Sequence, residues 1–277
     1  MTNISIIKKK KSENKKDKMI TRNKISFLVS LQKKKVRDEN LLYIVEGDKL
    51  VREYISAGMP VRSVIAKPEF LNSLSGDITG KIEMEAVSYE ELKKISTLKT
   101  PHNALALVEM PNQEPNAKKI LKDWCLALDC IQDPGNLGTI IRTSGWFGIK
   151  NIICSVDCVD VYNPKVIQAS MGALIQVKIF QQVLSDFLKE AREKGIQVYG
   201  TLLNGESIYN SPFDKKGIIL IGNESKGISD SLMPFITEKI MIPRFGEIKP
   251  GIDSLNAAIA TSIVLSQIAG RGKISGF

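Results

Sequence analysis

The sequence predicts an α/β protein: a C-terminal parallel sheet with helices on both faces, preceded by a smaller α/β unit. Three observations predict it. Residues 125–242 alternate short apolar runs with amphipathic stretches, the βαβα pattern of a parallel sheet. Two of those runs, residues 217–222 and 239–242, end in loops of glycine and polar side chains, where open α/β sheets place ligands. The stretch PNQEPNAKK has two prolines and no periodicity, and it divides the chain at residues 111–117.

The elements follow in order. Residues 1–18 hold seven Lys against one Glu and one Asp, so a net +5 of the chain's +9 precedes the globular part. That composition predicts a basic, disordered tail, for which a solvated extension and an RNA-binding arm are equally good readings. Met19 offers an alternative start. Residues 23–35 read as one helix, with Ile25, Leu28, Val29 and Gln32 at helical spacing and a basic end. Residues 41–45, 61–66, 82–87 and 105–108 read as strands, and residues 48–57 as a helix ended by Gly58. Ser88-Tyr89-Glu90-Glu91 is a capping-box pattern that opens a short helix to Ile95. These elements make a first unit over residues 19–110.

Residues 118–277 form the second unit. Strands are predicted at 125–130, 151–155, 175–180, 196–201, 218–221 and 239–242. A helix at 137–147 follows a tight turn at Pro134-Gly135-Asn136, and further helices lie near 164–171 and 183–194. The last helix presents Ala257, Ala258, Ile259, Ile263 and Leu265, with Ser254 as its cap.

Composition bounds the chemistry. A chain of 277 residues, 43% of them hydrophobic and with mean hydropathy near zero, fits a globular protein of two domains. No apolar run suits a bilayer, and no apolar signal core follows the basic start. Four cysteines without a disulfide pattern suit a reducing compartment, the cytoplasm. The net charge of +9 points to an acidic partner, nucleic acid first. His102 is the chain's one histidine and reads as a turn residue, which argues against a Ser-His-Asp triad and a paired-histidine zinc site. Cys125, Cys130, Cys154 and Cys158 are spaced more loosely than a zinc ribbon and read as small core residues, so no metal is expected. Neither a P-loop nor a G-x-G-x-x-G after a strand is present.

What remains is a set of polar residues just past strand ends. Asn136 stands near a helix start, and Arg142 lies six residues on. An arginine in that position suits bidentate capture of phosphate or carboxylate, although on spacing alone a surface salt bridge is the commoner role. The segments DPGNLGTIIRT (133–143), IGNESKGIS (221–229) and IPRFG followed by SLNAAIA (242–246, 254–260) resemble the three motifs of the SpoU family of RNA ribose methyltransferases, in the family's order. Residues 19–110, with KKKVRDE, IVEGDKLVREY and ISTLKTP, are more loosely similar to the family's N-terminal substrate-binding domain.

The resemblance implies a deep trefoil knot in the second unit, a homodimer, and S-adenosylmethionine bound at Gly222, Ile242 and Leu255 largely through backbone groups. Glycine at 222 permits close backbone approach to a ligand. The implied reaction is methylation of a ribose 2′-hydroxyl in RNA, with ribosomal RNA the preferred substrate because of the extra N-terminal domain. The alternatives are a transfer RNA ribose methyltransferase, or a catalytically inactive RNA-binding ribosome assembly factor of the same fold. Matching motif by motif, the implied catalytic residues are Asn136, Arg142, Glu224, Ser254 and Asn256. A guanidinium does not readily give up its proton, so Arg142 is expected to hold an RNA phosphate, oriented by Glu224, while Ser254 and Asn256 hydrogen-bond the reacting ribose. No metal is needed in this scheme. Two departures from the family pattern stand beside the expected cofactor loop. The loop at 244–253 is long, and Asp253 stands where glutamate is common. Lys226 and Lys249 are candidate further phosphate contacts.

Overall fold

The computed structural model of the chain describes residues 20–74, 82–112, 114–246 and 254–274. The basic tail, Gln113 of the linker, and most of the 244–253 loop with Lys249 and Asp253 lie outside the described residues.

Four strands make the first sheet: β1 (Leu42–Glu46), β2 (Val61–Ala66), β3 (Glu83–Ala86) and β4 (Ala104–Glu109), in the order β1-β4-β2-β3. β4 runs antiparallel to β1 and β2, and β2 runs parallel to β3. Alternate residues face opposite sides, as the two-residue period of a strand requires. Tyr43, Val45, Val64, Ala104 and Ala106 pack with Val51, Tyr54 and Ile55 of α3 (Asp48–Ser56). Leu42, Ile65, Leu105 and Leu107 pack on the other side with Leu28 and Leu31 and with Leu92 and Ile95.

The helix expected at 23–35 is broken. α1 (Arg22–Ser30) stops, and α2 (Lys34–Asn40) starts after a three-residue turn. The break frees the Leu31 and Gln32 carbonyls, which accept from the Arg37 guanidinium at 2.8 and 2.7 Å. Arg37 also pairs with Asp160 of the second unit, and both side chains are largely buried. α4 (Pro68–Asn72) was not foreseen. α5 (Tyr89–Ile95) carries the expected capping box of Ser88 and Glu91.

Six strands make the second sheet: β5 (Cys125–Leu128), β6 (Asn151–Cys154), β7 (Lys178–Gln181), β8 (Val198–Ser207), β9 (Ile218–Ile221) and β10 (Glu238–Met241). All neighbours are parallel, in the order β10-β8-β9-β5-β6-β7. Leu126, Leu128, Ile152, Ile219 and Ile221 face α7 (Pro134–Trp146), α8 (Pro164–Ser170) and α10 (Ala257–Gly270). Cys125, Ala127, Ile153, Ile218 and Leu220 face α6 (Ala117–Ile120), α9 (Leu184–Glu193) and a 3-10 turn at Asp230–Phe235. Helices therefore cover both faces, as expected. Cys125, Cys154 and Cys158 are buried in the core.

Four boundaries differ for physical reasons. Pro134-Gly135-Asn136 is the first turn of α7 rather than a separate turn: Asp133 caps it, accepting from the Asn136 N–H at 2.8 Å, and proline suits the first helical position. Strand β7 starts at Lys178 because Ala173–Ile175 forms a 3-10 turn. β8 runs on to Ser207 because its register on β10 jumps, from Gly200 opposite Lys239 to Glu206 opposite Ile240, and residues 201–205 bulge outward. α10 is capped by Asn256 rather than Ser254, its side-chain oxygen accepting from Ala258 and Ile259 N–H at 3.0 and 3.3 Å.

The strand order reverses between β5 and β9. The loops leaving the carboxyl ends of these two neighbours stand next to each other at that point, where open α/β sheets place ligands.

Candidate active site

The loop after β9 is fixed from within. Asn223 and Gly227 exchange backbone hydrogen bonds of 3.0 and 2.9 Å. The Asn223 side chain accepts from the Ser225 and Lys226 N–H groups and donates to the Cys130 carbonyl at 2.9 Å. Buried Asp129 accepts from the Ser229 N–H at 2.7 Å. The loops after β5 and β9 are thus tied side by side. A Cβ on Gly222 would lie 2.3 Å from the Gly227 carbonyl carbon and 2.4 Å from the Ile228 nitrogen. Glycine is therefore required at 222 by the chain's own backbone, which closes over it.

Three distant segments meet beside these loops. The Asn136 side-chain amide donates to a Glu224 carboxylate oxygen at 2.5 Å. Its own oxygen accepts from the Asn256 amide at 2.8 Å. The Ser254 hydroxyl donates to the Glu224 backbone carbonyl at 3.3 Å. Asn136 is held by its place in the first turn of α7, and Asn256 by capping α10. The result is a continuous chain, Asn256 to Asn136 to Glu224.

Behind it lies a cavity of about 520 Å³. Gly222 to Ile228, Met241, Ile242, Ser254 and Leu255 line it, together with Thr201, Leu202 and Leu203 of the β8 bulge. Its surroundings are mainly apolar side chains and loop backbone. The bulge residues escaped the sequence reading. The signal available was Gly205, whose Cβ would sit 2.6 Å from the backbone of Lys239 and Ile240, a glycine inside an otherwise strand-like run.

Arg142 stands exposed on α7, with no hydrogen-bond or ion-pair partner among the described residues. Glu224 engages Asn136 and not Arg142, so the expected orientation of Arg142 by Glu224 is not what the structure shows. Six residues along a helix turn a side chain about 120° away from its starting direction, which separates Arg142 from the Asn136 network. Beneath the β5 loop, the Cys158 thiol accepts from the Ile131 N–H at 3.3 Å. A hydrogen bond from Cys154 draws Cys158 below the usual thiol range, and the same bond raises Cys154.

A fold of this kind, with Asn136, Glu224 and Asn256 joined by hydrogen bonds beside the strand-order reversal, defines a class, and comparison with known proteins names it. The chain belongs to the SpoU rRNA Methylase family, whose family model matches residues 123–266. Residues 22–106 match a second model, the MRM3-like substrate binding domain. Among individual relatives, the chain is similar to the 23S rRNA (guanosine(2553)-2′-O)-methyltransferase RlmP of Bacillus subtilis, with 26% identity over 249 residues, covering 89% of this chain and 96% of the relative. A solved structure assigned to the TrmH family of RNA methyltransferases, from Porphyromonas gingivalis, is 36% identical with a TM-score of 0.82, covering 90% of this chain and 98% of that one. An AdoMet-bound rRNA methyltransferase from Sinorhizobium meliloti is 28% identical with a TM-score of 0.78, covering 92% and 97%.

Proposed function

We propose that this protein transfers a methyl group from S-adenosylmethionine to a ribose 2′-hydroxyl of ribosomal RNA. The observation that carries the reading is the hydrogen-bonded chain Asn256–Asn136–Glu224, assembled from three separate motifs at the mouth of a cavity. That cavity fits the cofactor: about 520 Å³ lies in the range of small-molecule sites, with apolar Ile242 and Leu255 beside the loop that closes over Gly222. Gly222, Ile242 and Leu255 are the cofactor contacts in this reading. When bound, S-adenosylmethionine supplies an electrophilic methyl whose leaving group departs neutral.

The chain's own residues then have one task, to present a ribose hydroxyl. Asn136 spends one donor and one acceptor inside the network, so it holds Glu224 and Asn256 in register. Glu224 uses one oxygen on Asn136, leaving the other as an acceptor for the hydroxyl proton. Asn256 and Ser254 hydrogen-bond the ribose. Arg142, free and exposed on the same helix as Asn136, grips the adjacent phosphate. The substrate reading follows the rRNA methyltransferases among the relatives.

The architecture divides by function at residues 111–117, into a substrate-binding domain at 19–110 and a methyltransferase domain at 118–277. Three further features belong to the reading. β10 is the edge strand, yet α10 returns to pack on α7, crossing the β9 loop at Ser254, which supports a deep trefoil knot. Trp146 on α7 is 83% exposed and Ile259 on α10 is 51% exposed, large apolar side chains on two packed helices that suit burial against a second copy in a homodimer. The cytoplasm provides both ribosomal RNA and the reducing conditions that suit four free cysteines.

The test is methyl transfer from labelled S-adenosylmethionine to ribosomal RNA taken from cells lacking the gene, with 2′-O-methyl mapping of the product. Arg142→Ala should cut turnover about a hundredfold or more while cofactor affinity stays near that of the wild type. Label appearing only in transfer RNA overturns the substrate, and no transfer to any RNA by cofactor-bound protein turns the reading to a non-catalytic assembly factor.

A further inference from the structure

A second cavity, of about 620 Å³, opens in the N-terminal domain, away from the Asn136 network. It lies where β1, β2 and β3 end and β4 begins, so four chain segments meet at one end of the first sheet. Its walls pair cations with aromatic rings. The Lys67 ammonium lies 5.1 Å from the centre of the Tyr89 ring, and Tyr89 is 38% exposed. The Arg52 guanidinium lies 4.6 Å over the Phe70 ring and donates to the Ser73 hydroxyl at 2.5 Å. Neither cation has a carboxylate partner among the described residues.

Two carboxylates, Asp48 and Glu69, share the lining. Both oxygens of Asp48 are occupied by Asn103, its N–H at 2.9 Å and its side-chain amide at 2.6 Å. A cavity with mixed charge and an open aromatic ring is a poor match for a duplex backbone, which presents phosphates alone. It suits a single unstacked base with its flanking phosphate: the ring stacks, the ammonium meets the phosphate, and the carboxylate of Glu69 accepts from a base amino group.

We propose that this cavity holds one unpaired nucleotide of the RNA substrate, its base against Tyr89 and its phosphate at Lys67. The inference rests on the RNA-methyltransferase reading and deepens it: the target would be anchored by a splayed-out nucleotide at a distance from the methylated ribose.

The experiment is fluorescence anisotropy of the full-length protein with a labelled single-stranded RNA of about 12 nucleotides, a duplex of the same length, and nucleoside monophosphates as competitors. Tyr89→Ala should weaken single-strand binding between about fivefold and a hundredfold, the range for losing one base stack. Tyr89→Phe, which keeps the ring, should bind within about twofold of wild type. Lys67→Ala should weaken binding and flatten the salt dependence by about 0.7 in log–log slope, one phosphate's worth on a single strand. Calorimetric binding of S-adenosylmethionine should be unchanged in all three, which separates a lost contact from a lost fold.

Wild-type single-strand affinity in Tyr89→Ala overturns the proposal. So does micromolar binding of a free monophosphate at this cavity, which would make it a small-molecule site, or tighter binding of duplex than of single strand. A wild-type protein that methylates RNA while Tyr89→Ala binds normally sinks the cavity alone. One that binds RNA through Tyr89 yet transfers no methyl sinks the enzyme reading and leaves the cavity standing.

Discussion

Gly222→Ala tests whether the loop after β9 shapes the cavity proposed for the cofactor. The added methyl would meet the Gly227–Ile228 peptide: the Gly227 carbonyl carbon at 2.3 Å, the Ile228 nitrogen at 2.4 Å and the Gly227 oxygen at 2.5 Å. Carbon atoms settle at about 3.5 Å or beyond, so the backbone at 227–228 has to retreat by roughly 1 Å. All three are main-chain atoms, not the ends of a flexible side chain. The retreat strains the paired bonds between Asn223 and Gly227, each worth about 1 kcal/mol. Overpacking adds about 1–3 kcal/mol. The expected cost is about 2–5 kcal/mol, divided between global stability and the loop's ability to close. Urea unfolding reads the first share, and calorimetric S-adenosylmethionine binding reads the second. A share of about 3 kcal/mol carried by the loop lowers affinity more than a hundredfold. Wild-type values in both assays together would refute the argument, because the methyl would then have found room that the backbone does not show.

Three other perturbations separate structural from chemical roles. Arg37→Ala should cost about 3–5 kcal/mol by urea unfolding, since it leaves Asp160 and two carbonyls without their buried partner; a loss under about 1 kcal/mol would show that the pair contributes little. Asn256→Asp keeps the oxygen that caps α10 but removes the donor to Asn136, so stability should hold within about 1 kcal/mol while turnover falls at least about tenfold; unchanged turnover would remove Asn256 from the site. Burial pushes the Cys125 thiol up to about 12 from its ordinary 9.0. A raised folded value means that the neutral thiol's contribution is complete below pH 9 and is lost as pH rises toward 12. The stability gap between wild type and Cys125→Ala should therefore shrink above pH 9, by about 1.4 kcal/mol per unit; a gap constant from pH 8 to 11 would contradict the burial argument.

The middle of the second sheet was legible because β5, β6 and β9 are buried on both faces and read as continuous apolar runs, such as Ile218–Ile221, whose bounds the sequence predicts. The capping box at Ser88 was legible because it is a local pairing three residues apart. Long-range causes were not legible. Nothing local announces that the 23–35 helix must break, because the reason is Arg37 reaching Asp160, 123 residues away. The β8 bulge depends on register with β10, and its contribution to the cavity follows from that pairing alone. The site residues were named through motif resemblance, whereas their connections were not. Glu224 was expected to serve Arg142, but a carboxylate bonds what its loop brings near, and the tie between Asn223 and Cys130 brings it to Asn136.

Asn256 shows why cap and site were easy to confuse. Ser254 is as good a capping residue as Asn256 by type, and it comes first in sequence. The structure gives the cap to Asn256 because one amide can then act in both directions, its oxygen on the helix N–H groups and its nitrogen on Asn136. Ser254 is released to the Glu224 carbonyl. The start of α10, the first turn of α7 and the β9 loop are thereby locked to one another across separations of 120 and 88 residues. Moving any one of the three shifts the other two. An arrangement built on such shared groups is rigid at little cost, since the Asn256 side chain that bonds Asn136 also finishes α10.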